Sequence, residues 1–259
     1  MSKAPLSLLC GALAALVVSL PARAEESAAD ISRKSRERGA LNVLGLVAEV
    51  KLTTEGKGGK RKEQVLTTTA RKVGNKTHSL VRFSQPAGVA GVAVLTVEGA
   101  GGEASEISLY LPKLKRVRKV ARTQRGQSFM DTDFSYADLG GSGGESDESL
   151  KKVGETKRMD RLVWVLRGKA GPDSPYGQVT LYVDQETYVP TEVQYDDKEG
   201  KPLKIYRAAS LKKFKDRVIA AKAVMENLQT GSRTTIEVLK LEESTLGDEA
   251  FTERALERG

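Results

Sequence analysis

Two hydrophobic patterns divide this chain. Residues 6–20 are an almost unbroken apolar run, whereas from Val43 onward apolar and polar positions alternate. The alternation begins with Leu44, Leu46, Ala48, Val50 and Leu52 on one face, and a period of two predicts a β-strand. Residues 56–60 (Gly-Lys-Gly-Gly-Lys) turn the chain, and a second strand covers 65–70. Gly74-Asn75-Lys76 turns it again before a strand at 80–83. A strand over 91–97 follows, then the flexible turn Gly99-Ala100-Gly101-Gly102 and a strand at 107–111 that stops at Pro112 and resumes at 117–120. Hairpins in direct succession predict an antiparallel meander rather than βαβ units.

Residues 126–150 break the alternation. They predict a short helix near 134–139 and then a mobile loop through Gly140-Gly141-Ser142-Gly143-Gly144. The second half is β again. Residues 162–166 are apolar on both faces, which predicts a strand covered on both sides. Val179, Leu181 and Val183 alternate, as do Val189, Val193 and Tyr195, and Leu203, Ile205 and Arg207 follow. Residues 221–228 and 234–241 make a last pair joined at Gly231. About ten or eleven strands result, more than a flat open sheet of this length holds without curling. The predicted fold class is therefore mainly β: a strongly curved antiparallel sheet or incomplete β-barrel, with helices closing its concave side. No internal repeat is present. Residues 25–40 are polar apart from Ile31, and read either as one short helix packing on the domain or as a frayed terminus.

The apolar run at 6–20 is too short to span a bilayer, which takes about 20 apolar residues. Lys3 precedes it, Pro21 breaks it, and Ala22-Arg23-Ala24 places small residues at −3 and −1. This is the three-part layout of a secretory signal peptide. Residues 1–24 are expected to be removed before Glu25, leaving 25–259 as a single exported domain in the periplasm. Lipid attachment at Cys10 is the competing reading, but Leu9 is not small and the apolar run continues past the cysteine. Without Cys10 the mature chain has no cysteine, and its core must stand without disulfides. Its length suits one domain that can bury a full core.

Charge and candidate chemistry narrow the function. The formal net charge is +8, and +6 once Lys3 and Arg23 are gone. A basic chain prompts a nucleic-acid hypothesis. Export argues against nucleic acid and points to anionic lipid head groups or an acidic partner, with a solvated basic surface as the plain alternative. His78 is the single histidine, placed beside Lys76 and Thr77 in a turn, and no G-x-S-x-G elbow accompanies any serine. Clustered Cys or His for zinc is lacking. Asp131-Thr132-Asp133 offers oxygen ligands for a hard cation, but two carboxylates without further ligand spacing fit a surface or capping role better. There is no P-loop or dinucleotide fingerprint, and Gly140 to Gly144 lacks the Lys-Ser/Thr of a phosphate loop. The expectation is a non-enzyme with no catalytic residue, metal or cofactor.

Three segments carry a resemblance. The first is Leu109-Tyr110-Leu111-Pro112-Lys113-Leu114-Lys115-Arg116-Val117-Arg118-Lys119-Val120. The second is Gly126-Gln127-Ser128-Phe129-Met130-Asp131-Thr132-Asp133-Phe134-Ser135-Tyr136-Ala137-Asp138-Leu139. The third joins Tyr182-Val183-Asp184, Tyr188-Val189-Pro190 and Gly200-Lys201-Pro202-Leu203-Lys204. With Met225-Glu226-Asn227 and the tail from Phe251 to Arg258, they resemble the LolA-like family of outer-membrane lipoprotein-sorting proteins, from about Phe83 to the C-terminus. The resemblance implies a periplasmic protein with an incomplete antiparallel barrel and a helical lid over a hydrophobic cavity. It implies binding of acyl chains of lipoproteins or lipids for transfer towards the outer membrane. The implied partners are those lipids, an inner-membrane exporter and an outer-membrane acceptor. The alternative is a non-catalytic envelope accessory protein that docks on a lipid exporter and has a closed core. The chain departs from the family pattern at Asp131, where members usually have Gly, at Ala137, where they have Glu, and at Ser108, where an aromatic is common. These departures touch the lid motif and the strand before it, and so bear on cargo preference.

The residues themselves agree with that implication. An exposed acyl chain costs about 0.8 kcal/mol per methylene, so a carrier needs a dry concave face and a cover that opens. Phe129, Met130, Phe134, Tyr136 and Leu139 are the lid candidates, with Gly140 to Gly144 as a hinge. Methionine and aromatics adapt well to a flexible chain. Phe134 lies four residues after Met130, on the same helical face if the helix reaches that far. Filling a closed core is the competing use of the same residues. On the basic strand, Lys113, Lys115, Val117 and Lys119 share one face, and Leu114, Arg116, Arg118 and Val120 the other. Arg116 or Arg118 is placed to meet a head group or to pair with Asp131 or Asp133, with solvated charge as the alternative. Leu109, Leu111 and Trp164 complete the cavity candidates.

Overall fold

The computed structural model describes residues 26–39, 41–98, 105–139, 149–171 and 174–258. Helix α1 (Ala28–Arg36) leads into a short ribbon of β1 (Arg38–Gly39) and β2 (Asn42–Val43). A meander follows: β3 (Leu46–Glu55), β4 (Arg61–Val73), β5 (Lys76–Gln85), β6 (Ala93–Val97), β7 (Glu106–Leu111) and β8 (Arg116–Lys119). After α2 (Tyr136–Leu139) a second meander begins with β9 (Lys151–Arg158), β10 (Arg161–Lys169), β11 (Gln178–Asp184) and β12 (Pro190–Asp196). It ends with β13 (Pro202–Phe214), β14 (Arg217–Asn227) and β15 (Ser232–Glu243), and α3 (Glu253–Leu256) closes the described chain.

The last strand pairs with the first long one. β15 lies antiparallel to β3, which fuses the two meanders into one thirteen-stranded antiparallel sheet in the order β8-β7-β6-β5-β4-β3-β15-β14-β13-β12-β11-β10-β9. Its two edges, β8 and β9, are consecutive in sequence and do not pair with each other. The chain between them must therefore cross from one edge of the sheet to the other. Register shifts in β4, β10, β11, β12, β13 and β15 supply the bends that let so wide a sheet curl.

One face of the sheet is buried throughout. In β3, Leu46, Ala48, Val50 and Leu52 are buried while Glu49 and Lys51 between them are not. Register carries the apolar set sideways: Leu66 lies opposite Val50, and Phe83 opposite Leu66. On the other side Ile236 faces Leu52, Tyr206 faces Met225, and Val193 faces Tyr206. These residues form one hydrophobic cluster on the concave face. Helix α1 joins it through fully buried Ile31, which settles residues 28–36 as a packed helix, with Ser27 Oγ capping the Asp30 N–H. On α1, Arg36 pairs with Glu98, just past β6, and Lys34 lies over the Tyr188 ring, just past β11. A smaller convex cluster of Ala93, Leu95, Phe251 and Leu256 lies beneath α3.

Three expectations are corrected. The sheet has thirteen strands rather than ten or eleven, chiefly because β9, Lys-Lys-Val-Gly-Glu-Thr-Lys-Arg, has almost no apolar alternation. Residues 162–166 are not covered on both sides: in β10, next to the sheet edge, Leu162 is 54% exposed. His78 is not in a turn. The β4–β5 turn is only Gly74-Asn75, with Val73 already paired to Lys76, so His78 sits inside β5 opposite Arg71 and Val97. Residues 1–24 with Cys10, the Gly99 to Gly102 turn and the Gly140 to Gly144 hinge lie outside the described residues. Among the described residues, no helix is long and apolar enough to cross a membrane.

Candidate functional site

The segment that crosses between the sheet edges starts at buried Val120 and runs over the concave face. A bridge between Ser128 and Ser135 pinches off a tight loop. Inside it, the Phe129 N–H donates to the Phe134 carbonyl at 2.7 Å, and the Thr132 N–H and hydroxyl both donate to the Phe129 carbonyl. The helix begins only at Tyr136, so Met130 and Phe134 do not share a helical face as the spacing suggested. Met130 and Asp131 both adopt left-handed φ values, +51° and +61°. A glycine takes that conformation freely, and aspartate more readily than most other residues. A glycine at position 131 would therefore adopt this backbone more easily than Asp131 does.

The loop and helix present an apolar underside. Phe129 is fully buried, 5.5 Å from the Phe83 ring of β5 and 5.6 Å edge-on to Tyr136. Phe134, Tyr136 and Leu139 are buried in the same cluster as the concave wall, and Met130 packs on it from the rim. The structure thus brings all five candidates together over the sheet.

Polar contacts pin this cover to three strands. Lys62 of β4 donates to the Met130 carbonyl at 3.1 Å and to Asp131 at 2.8 Å. Asp133 accepts from Ser232 and from Thr234 of β15, and its own N–H donates to Thr234 Oγ1. Asp138 accepts from the Ser135 N–H at 2.6 Å, the Ser135 hydroxyl at 3.0 Å, the Tyr176 hydroxyl at 2.8 Å and Lys204 Nζ of β13 at 2.5 Å. The Lys204 and Asp138 side chains are only 4% and 3% exposed. Lys204 Nζ also lies 4.8 Å and 5.1 Å from the ring centres of Tyr176 and Tyr195. Burial, and then the neighbouring Asp138 charge, push the Tyr176 phenol well above its ordinary value, which keeps it a neutral donor. The sequence offered Asp131 and Asp133 as surface or capping groups. Asp133 instead hooks the cover to β15. Among the described residues, no cluster of His, Cys, Asp or Glu is placed to hold a metal.

The remaining candidates line the margins. Leu109 of β7 is buried in the wall, Leu111 packs against it, and Trp164 of β10 packs against it with its ring 5.6 Å from Tyr188. Arg116 lies opposite Leu111 and Arg118 opposite Leu109, so both arginines stand on the concave-side face at the edge strand, exposed. Neither pairs with Asp131 or Asp133 as the sequence suggested: Asp131 is taken by Lys62, Asp133 by β15, and Arg118 bonds Gln124. Lys62, Lys204 and the contacts of Asp138 were not foreseen. Alternation was expected through Leu203, Ile205 and Arg207, whereas β13 turns the other set, Lys204, Tyr206 and Ala208, inward, which is why Lys204 went unread.

Residues 75–258 match the model of a family described as "Uncharacterized protein". A search of curated proteins returned no match. Among solved structures, a candidate outer membrane lipoprotein-sorting protein domain from Vibrio parahaemolyticus is similar at 26% identity and a TM-score of 0.77, over 89% of this chain and 98% of that one. A DUF1329 family protein from Desulfovibrio piger is similar at 21% identity and a TM-score of 0.77, over 88% and 97%. A LolA superfamily protein from Nitrosomonas europaea is similar at 17% identity and a TM-score of 0.68, over 89% and 99%.

Proposed function

Because the chain belongs to the LolA-like family of outer-membrane lipoprotein-sorting proteins, we propose that it is a periplasmic, non-enzymatic carrier of lipoprotein or lipid acyl chains. It is exported by the signal peptide at residues 1–24 and moves its cargo towards the outer membrane. The observation that carries this reading is the cover at Phe129 to Leu139. Its underside is apolar, and what holds it down is a set of hydrogen bonds and charges rather than continuity with the sheet. A cover held this way exchanges its polar contacts for water when it lifts, while an acyl chain takes over the apolar contacts. At roughly 0.8 kcal/mol per buried methylene, a long acyl chain gains on the order of 10 kcal/mol, enough to replace the packing of the aromatic cover. Arg116 and Arg118, at the exposed rim, are suited to the head group or to an acidic surface on an exporter or acceptor.

A second reading has its own observation. Phe129 and Phe134 are as buried as the sheet residues beneath them, which also suits an envelope accessory protein with a closed core. Mass spectrometry of the protein drawn natively from a periplasmic extract separates the two. The carrier brings a lipid or acylated peptide with it. A lipid-free protein that also fails to take up a fluorescent fatty acid leaves the accessory reading.

A further inference from the structure

Between Glu106 and Asp131 the chain carries seven lysines and arginines and no acid. Part of this charge is taken up: Lys119 pairs with Glu106 at 2.8 Å, and Arg125 donates to the Ser105 carbonyl. At the β7–β8 tip it is not. Lys113, Lys115 and Arg116 are exposed and make no ion pair among the described residues. Leu114, between the two lysines, is 62% exposed, more than any other large hydrophobic among the described residues. A 3-10 turn over Pro112–Leu114, closed by the Lys115 N–H on the Pro112 carbonyl, holds it out. One exposed leucine is ordinary on a protein surface. What sets this one apart is its flanking unpaired cations and the loop beside it. Residues 86–91 (Pro-Ala-Gly-Val-Ala-Gly) carry no charge, expose Pro86, Ala87 and Gly88, and reach the Pro112 ring through Gly91. Register through β7, β6 and β5 places the tip at the end of the sheet where β4 begins, the end at which Lys62 holds Met130 and Asp131. The β3–β4 turn adds exposed Lys57 and Lys60 at the same end.

We propose that this end of the sheet docks on an anionic phospholipid bilayer, with Leu114 entering the head-group layer while Lys113 and Lys115 meet lipid phosphates. An apolar apex flanked by cations suits such a surface, where apolar burial and attraction to anionic lipid act together. Lysine ammoniums on long flexible stems follow a fluid array of phosphates without fixed geometry. A fluid surface accepts a protruding leucine anywhere, whereas a folded acidic partner must supply a pocket shaped for it. Docked this way, the end of the sheet that carries the Lys62 anchor of the cover lies towards the membrane. The docking goes beyond the carrier reading and is measured without cargo.

Flotation of the mature protein with lipid vesicles tests this. Binding is expected to vesicles of phosphatidylcholine mixed with phosphatidylglycerol, to weaken in high salt, and to be absent with phosphatidylcholine alone. Each basic side chain near an anionic surface is worth about five-fold in affinity, so Lys113→Gln with Lys115→Gln should weaken binding roughly 25-fold. Leu114→Gln should weaken it about ten-fold with the charge unchanged. The control pair Lys212→Gln with Lys213→Gln, exposed at the opposite end of the sheet, removes the same charge and should change binding by less than about three-fold. Melting temperature and fatty-acid displacement should match wild type in every variant, which keeps this outcome separate from the carrier reading. Wild type that ignores the mixed vesicles, or equal losses from the two lysine pairs, overturns the proposal. Binding of polyglutamate in place of vesicles, lost with Lys113 and Lys115, assigns the tip to an acidic protein and overturns it too.

Discussion

Breaking the buried pair between Lys204 and Asp138 should loosen the cover, and the two partners should not be equivalent. Both side chains are nearly dry, and removing one member of such a pair costs about 3–5 kcal/mol because the other charge is stranded. When Lys204 is lost, Asp138 keeps three donors: the Ser135 N–H, the Ser135 hydroxyl and the Tyr176 hydroxyl. When the Asp138 charge is lost, Lys204 keeps the Asp133 carbonyl at 3.5 Å and two ring faces. Lys204→Met therefore belongs at the lower end of that range and Asp138→Asn at the upper. At about 2–4 °C per kcal/mol for a chain of this size, melting temperatures should fall by roughly 6–20 °C. Urea unfolding followed by circular dichroism measures the loss, and hydrogen exchange over residues 128–139 locates it. The double variant should cost less than the sum of the single ones, since neither charge is then stranded. Single variants within about 1 kcal/mol of wild type, or strictly additive costs, would refute the reasoning.

Phe134→Asp should keep the sheet folded by circular dichroism but lose fluorescent fatty-acid binding, because an unpaired charge in a dry site costs several kcal/mol. Unchanged binding in a folded variant removes the cover from the account. His78→Ala should leave binding intact and cost about 1 kcal/mol, the contact of Nδ1 with the Phe251 carbonyl at 3.1 Å, and lost binding in a folded variant contradicts this. At Asp184, burial opposes ionisation, but hydrogen bonds from Arg161 and Thr187 outweigh it and hold the carboxyl below its ordinary value. That contribution is present above the ordinary value and is lost as pH falls through the lower, folded one. Urea midpoints of Asp184→Asn should therefore lie below wild type at pH 7 and decline less steeply below about pH 4, and parallel curves would contradict the assignment.

The fold was legible wherever one face of a strand had to be dry. Leu46, Ala48, Val50 and Leu52 must point one way, and a one-residue slip would turn them all outward, so alternation fixed both strand and register. β9 escaped notice because an edge strand with exposed Lys151, Glu155 and Lys157 needs little apolar content. The pairing of β15 with β3 is non-local and leaves no mark in either segment alone. At the site, Phe129, Phe134 and Tyr136 were legible as a group, but their arrangement depends on left-handed backbone at Met130 and Asp131. Gln64 and Lys204 are polar residues at inward positions, where local pattern and burial disagree. The faces of Arg116 and Arg118 were read correctly from alternation, whereas their partners were not, because Lys62 reaches Asp131 from a strand 69 residues earlier.

Photocrosslinking with a diazirine-bearing fatty acid, mapped by peptide mass spectrometry on the mature protein, locates the bound acyl chain. Labelling is expected in the cover at residues 128–139 and in the concave wall at Leu66, Phe83, Met225 and Ile236. Labelling confined to the convex cluster around Phe251, or to the exposed β9–β10 edge, would contradict it.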